Sequence, residues 1–160
     1  MTGVSPQVLG AHRFLRGMPA GHVTLLAGTA AAVSVSAGFR FFDEGGRAAR
    51  LWLISSGRVA LDLDVPGRTR LIVETLGSGD VIGLSWLSPA GKWQFGAEAI
   101  QDTTAFELDA AAVRALGDRD PELGSQITGR MMAVAASRLQ ATRIRLLDLY
   151  AAPGSHAGVR

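Results

Sequence analysis

The chain has 160 residues, enough for one compact core, and 48% hydrophobic against 19% charged residues is a globular rather than a disordered composition. Its 16 Lys and Arg against 14 Asp and Glu leave a formal charge of only +2 despite a pI near 9.9, which gives no basis for nucleic-acid binding through a clustered basic face. The lack of cysteine excludes disulfides, thiolate metal sites and a Cys nucleophile. No run reaches the ~18 apolar residues of a membrane span and Met1 to Gly10 lacks a leader pattern, so no membrane contact and a cytoplasmic setting are expected.

Val8 to Leu26 places Leu9, Phe14, Leu15 and Met18 at helical spacings interrupted by Gly17, Pro19 and Gly21, which predicts short, broken helices. From Ala32 the period falls to two: Val33, Val35 and Ala37 alternate with serines, and Phe39 to Phe42 follows a bend at Gly38. Asp43-Glu44-Gly45-Gly46 reads as a turn, Leu51 to Ile54 as a buried strand, and Val59 to Val65 as an alternating strand closed by Pro66-Gly67. Arg70 to Leu76 is a further strand leading into Gly77-Ser78-Gly79-Asp80, and Phe95 to Leu108 reads as a pair of strands. Strands this short and frequent predict a barrel or sandwich.

The last third is helical. Asp109 caps a helix through Gly117, and Asp120-Pro121-Glu122 supplies an acceptor, a first-turn proline and an acid for a longer helix to about Tyr150, stopped by Pro153 and Gly154. Within it Thr128, Met132, Ala135, Leu139, Thr142, Leu146 and Leu149 recur in alternating gaps of four and three, a heptad seam. A second apolar set, Ile127, Met131, Val134 and Ile144, is available to pack on the barrel.

Gly45, the run Leu51 to Val59 (LWLISSGRV), the turn Gly79-Asp80-Val81-Ile82-Gly83 and Arg138-Leu139-Gln140-Ala141-Thr142 together resemble the sensor domain of the catabolite activator protein family. The likeness covers roughly Phe14 to Tyr150. It implies an α+β fold: a cyclic-nucleotide-binding-type β-barrel of jelly-roll form, with short N-terminal helices and a long C-terminal helix. The expected layout is one domain over 1–160, with a helical segment at about 8–27, the barrel at about 32–108, C-terminal helices at about 109–150 and a tail at 151–160. The glycines fit such a barrel physically, since Gly57, Gly79 and Gly83 suit turns or bends that need positive φ.

The resemblance places a phosphate-binding cassette at Gly83, Leu84, Ser85, Trp86 and Leu87, followed by Trp93, Gln94, Phe95, Gly96 and Ala97. The family's acidic residue for the ribose falls on Leu84 and its arginine for the phosphate on Phe95. Neither replacement can make a charge-assisted bond, so roughly two to four decades of affinity for an ordinary cyclic nucleotide are lost. Thr142 falls where a family residue faces the purine, with Arg143 beside it.

Three readings stay open. The pocket is retuned to another small molecule, with Trp86, Trp93 and Phe95 as walls and Ser85 and Gln94 as polar contacts. A cyclic nucleotide is kept, with charge from Lys92, Arg70 or Arg143. Or the aromatics fill the pocket and the domain is a ligand-free interaction or scaffold module. Enzymatic readings are weak: His12, His22 and His156 lack metal-ligand spacing, no nucleophile elbow surrounds any serine, and Asp62 with Asp64 read as a solvated strand face. A cupin-like enzyme would bring clustered histidine and carboxylate ligands. No catalytic residue, metal or cofactor is therefore assigned. The ten residues after Tyr150 hold no helix-turn-helix pattern, so direct DNA binding is not expected. The expected partners are a second copy, through Met132, Ala135, Leu139, Thr142, Leu146 and Leu149, or a separate protein.

Overall fold

The computed structural model describes residues 3–151; His156, Pro153 and Gly154 lie outside them. Two short helices, α1 (Pro6–Gly10) and α2 (Ala20–Ala27), flank a single 3-10 turn at Arg13–Leu15. Eight antiparallel strands follow: β1 (Ala30–Val35), β2 (Arg40–Phe42), β3 (Arg50–Ser56), β4 (Val59–Leu63), β5 (Leu71–Leu76), β6 (Val81–Ile82), β7 (Gly96–Ala99) and β8 (Thr103–Asp109). They form two four-stranded sheets, ordered β1-β8-β3-β6 and β2-β7-β4-β5. Helices α3 (Ala110–Arg119) and α4 (Pro121–Ala151) complete the chain.

The strands that read as continuous apolar runs are those inside each sheet. Strand β3 lies between β8 and β6 and buries Leu51, Trp52, Leu53 and Ile54, because both of its faces are covered. Strand β4 lies between β7 and β5 and buries Val59, Ala60 and Leu61. It also buries Asp62, which corrects the expectation of a solvated carboxylate face. Asp62 pairs across the ladder with Gly96, and Arg40 of β2 reaches over that glycine to take both carboxylate oxygens. Asp64, past the end of β4, is exposed as expected.

The caps follow the local chemistry. The Asp109 carboxylate accepts from the Ala112 amide at 2.8 Å, and Asp120 accepts from Glu122 and Leu123 at 3.2 and 3.3 Å, so both helices begin where orphan amides find a side-chain acceptor. Helices α3 and α4 cross at Gly117 and Gly124, where a Cβ on Gly117 would lie 3.1 Å from the Cα of Gly124. At and beyond the crossing, α4 buries Leu123, Ile127 and Met131 and half-buries Val134. At about 1.5–3 kcal/mol for each large side chain fully buried, this stripe anchors the first half of the helix.

Ile144 does not extend that stripe; it is 54% exposed. Continuing from Val134 at helical spacing, the barrel-facing positions are Arg138 and Arg145, whose guanidinium groups donate to the carbonyl oxygens of Val81 and Val73. The second half of α4 is thus attached through two arginines, while Met132, Leu139, Leu146 and Leu149 face outward at more than half exposure.

Candidate functional site

A cassette-like segment leaves β6 through Gly83, which stands at φ +105°. A Cβ there would lie 2.9 Å from the Arg50 carbonyl oxygen and 3.2 Å from the Trp93 ring, so only glycine passes this corner without strain. Leu84–Leu87 then makes one turn of 3-10 helix. The loop that follows is zipped to the Gly45–Ala48 turn by reciprocal bonds between Trp93 and the Gly45 and Gly46 backbones, and by Ala48 donating to Gly91. This places the Trp93 ring on Phe42, stacked at 3.7 Å, with Trp52 behind them and its indole held by Glu107 at 2.8 Å.

In front of that stack is an open cavity of about 470 Å³, bordered by the cassette turn, β4, β5 and the middle of α4. Of the cassette residues, Gly83, Leu84, Ser85, Trp93, Gln94 and Phe95 line it. From α4 come Ala135, Leu139 and Thr142, the last with its hydroxyl turned back to the Arg138 carbonyl at 2.9 Å. The Gln94 amide donates to the Ser85 hydroxyl at 3.3 Å, tying the two polar ends of the cassette together.

Other expected members lie elsewhere. Trp86 is buried on the far side of the turn, in a separate groove against α3 and α4. There the Arg114 guanidinium sits 5.4 Å from its ring and donates to its carbonyl oxygen at 2.9 Å. Trp86 is therefore not a wall of the cavity, because consecutive residues of a single 3-10 turn face different sides. Leu87 shares that groove. Ala97 is wholly buried in β7, and Gly96 serves the Arg40–Asp62 pair. Nor do the suggested cations reach the cavity: Arg143 and Lys92 are exposed, and Arg70 lies with Asp43 and Glu98 at another opening.

The cavity's charged lining is instead Glu74, to which the sequence assigns no role, and Arg138, the first residue of the Arg138–Thr142 stretch. Both also border a second cavity of about 470 Å³ beside Arg13 and Arg130, so they stand in the wall between the two spaces. Arg138 is half-buried and forms no ion pair among the described residues; it donates one hydrogen bond, from Nη2 to the Val81 carbonyl. Burial lowers its pKa from the ordinary arginine value, against the weaker opposing attraction of Glu74 and Asp80. The helical stripe continued from Val134 was the available signal for its position.

Among the described residues no group of His, Asp or Glu is arranged to hold a metal, and no helix is long and apolar enough to cross a membrane.

The pattern of the cyclic nucleotide-binding domain family matches residues 32–120. A CRP-like cAMP-activated global transcriptional regulator of Mycobacterium tuberculosis is 30% identical over 113 residues, 70% of this chain and 48% of the relative. The chain thus spans about half the length of the curated relatives it matches. A cyclic nucleotide-binding domain from Methylobacillus flagellatus superposes with a TM-score of 0.80 at 19% identity, over 96% of this chain and 89% of that one. The catabolite activator protein of Thermus thermophilus gives 0.67 at 25% identity, over 86% and 63%. With the eight-stranded architecture and the long C-terminal helix, these likenesses show that the chain belongs to the cyclic nucleotide-binding domain family.

Proposed function

We propose that this chain is a non-enzymatic regulatory or sensor domain whose pocket takes a small molecule other than an ordinary cyclic nucleotide, with cAMP bound weakly or not at all. The observation that carries this reading is an open cavity of about 470 Å³ whose cassette side offers Leu84 and Phe95 where the family resemblance calls for an acid and an arginine. The remaining cassette contacts are neutral: the hydroxyls of Ser85 and Ser88 and the amide of Gln94. A cytoplasmic setting and a homodimer joined along α4 belong to the same proposal, the dimer supported by the outward apolar row on that helix.

Isothermal titration with cAMP tests it. The expected dissociation constant is no better than about the high-micromolar range; a sub-micromolar value overturns the reading. The double variant Leu84→Glu with Phe95→Arg gains affinity for cAMP when the cassette geometry is intact. The ligand-free reading draws on the Phe42–Trp93 stack, which fills the floor of the pocket; it predicts no gain in that variant.

A further inference from the structure

We propose that Arg138 is the anion-binding residue of this pocket, so that its ligand is a small acid with an apolar, ring-sized body whose acidic group is held by a side chain of α4 rather than by one of the cassette. The inference rests on the reading of the cavity as a ligand pocket and adds the class of ligand and the residue that selects it.

The charge distribution carries the argument. Arg138 is the cavity's one positively charged lining residue among the described residues; it comes from α4, and its guanidinium is held at the Val81 carbonyl, where β6 leads into the cassette. An arginine has five N–H donors in a planar fork, and the single bond to Val81 leaves most of them without a protein partner. Other guanidiniums tucked against this fold have further engagements: Arg40 is in an ion pair with Asp62, Arg130 donates to two carbonyls, those of Phe14 and Arg16, and Arg114 lies over the Trp86 ring as well as donating to its carbonyl. A half-buried guanidinium with no ion pair, bordering a cavity, favours an incoming carboxylate, sulfonate or phosphate. The lining also includes Leu84, Phe95, Phe42 and Trp93, which suit an apolar or planar body rather than a second charge. Glu74 shares the Arg138 wall without pairing with it and selects against a ligand carrying more than one acidic group.

Two fluorescent probes of nearly the same skeleton separate charge from shape: anilinonaphthalene sulfonate, an aromatic anion, and phenylnaphthylamine, its neutral counterpart. Each is titrated into the full chain, its Arg138→Met and Arg138→Lys variants, and Leu84→Trp, which fills the pocket from the cassette side. The expected result is sulfonate binding at least about tenfold weaker in Arg138→Met and largely kept in Arg138→Lys, with the neutral amine unchanged in both. The neutral amine also reports that the pocket of each variant is intact. Sulfonate affinity that does not change in Arg138→Met, while Leu84→Trp expels both probes, overturns the assignment of Arg138 and leaves the pocket reading standing. If neither probe responds to Leu84→Trp, the pocket reading itself fails and this inference fails with it.

Discussion

Arg40 and Asp62 join two strands of one sheet that are not neighbours, β2 and β4, across the glycine of β7 that lies between them. Nη2 donates to Oδ1 at 2.7 Å and Nη1 binds Oδ2, while Nε holds Asp43 at 2.8 Å. A Cβ on Gly96 would collide with both partners, so the glycine is what allows the fork to pass. The Asp62 hydrogen bonds raise the pKa of Arg40, outweighing its desolvation.

The first prediction concerns this pair. The Asp62 side chain is 6% exposed and that of Arg40 21%, so removing either partner leaves a charge or dipole that water reaches poorly. Asp62→Asn should lower the unfolding free energy by about 2–4 kcal/mol in urea denaturation, less than for a fully buried pair because Arg40 keeps Asp43. The double variant Arg40→Met with Asp62→Leu should be less destabilised than Asp62→Asn alone. Additive losses would show that the two side chains act independently.

A second prediction follows from His12. Its Nε2 is 2.8 Å from the Ile54 carbonyl, and its Nδ1 accepts from the Phe14 amide at 3.1 Å, which fixes the neutral tautomer with the proton on Nε2. Protonation would put a second N–H against the Phe14 amide. Burial lowers the pKa below the ordinary 6.5, and the positive charge of Arg13 acts in the same direction, against the Ile54 hydrogen bond and Asp80. Below about pH 6.5 the unfolded chain therefore takes up a proton that the folded chain does not. Stability contributed by His12 is fully present above that value and is lost as pH falls through the folded pKa. His12→Asn should be less stable than wild type at pH 7.5, with the gap narrowing at pH 5.5 in chemical denaturation. A gap that widens on acidification would reverse the sign.

Much of this fold is legible because local chemistry and tertiary role coincide. Gly57, Gly79 and Gly83 read as bends and stand at φ +99°, +86° and +105°. Asp109 and Asp120 read as caps and accept the expected amides. The site is less legible because its composition depends on which elements meet. Trp86 neighbours Ser85 in sequence yet faces another groove, since a 3-10 turn rotates by about a third of a circle per residue. Arg138 enters the sequence only as part of the Arg138–Thr142 stretch, with no role of its own; the arrival of α4 over β5 and β6 makes it a pocket wall. Asp62 follows the alternation of an exposed face, and its burial depends on Arg40, 22 residues away.

A third prediction separates two positive-φ glycines. At Gly57 a Cβ would run into the Asp102 carbonyl oxygen and the Thr103 hydroxyl and lie 2.7 Å from the Thr103 Cα, so backbone must move. At Gly67, φ +76°, a Cβ meets nothing within 4 Å. Both alanine variants carry the left-handed backbone penalty of about 1–2 kcal/mol, but Gly57→Ala should lose about 3 kcal/mol or more and Gly67→Ala only the penalty itself. Equal midpoint shifts in thermal unfolding would mean that the β3–β4 turn accommodates a side chain.

The last prediction is the homodimer proposed along α4. The helix has already spent one apolar stripe, Leu123, Ile127 and Met131, on its own barrel. A second row, Met132, Leu139, Leu146 and Leu149, is 66%, 61%, 54% and 75% exposed, with Ala135 and Thr142 completing the heptad spacing. Leaving such a row in water forgoes much of the roughly 1.5–3 kcal/mol that each large apolar side chain gains when buried, and a second copy supplies the matching surface by two-fold symmetry. Leu139 and Thr142 also line the pocket, so a ligand held there touches the same helix that carries the seam. Light scattering on wild type should give a dimer at micromolar concentration, and Leu139→Glu with Leu146→Glu a monomer of unchanged circular dichroism. Leu147 is 67% exposed but lies off the row, so Leu147→Glu should leave the dimer intact. Wild type already monomeric at micromolar concentration would refute the proposal, and a monomer produced equally by Leu147→Glu would place the contact on a different face of the helix.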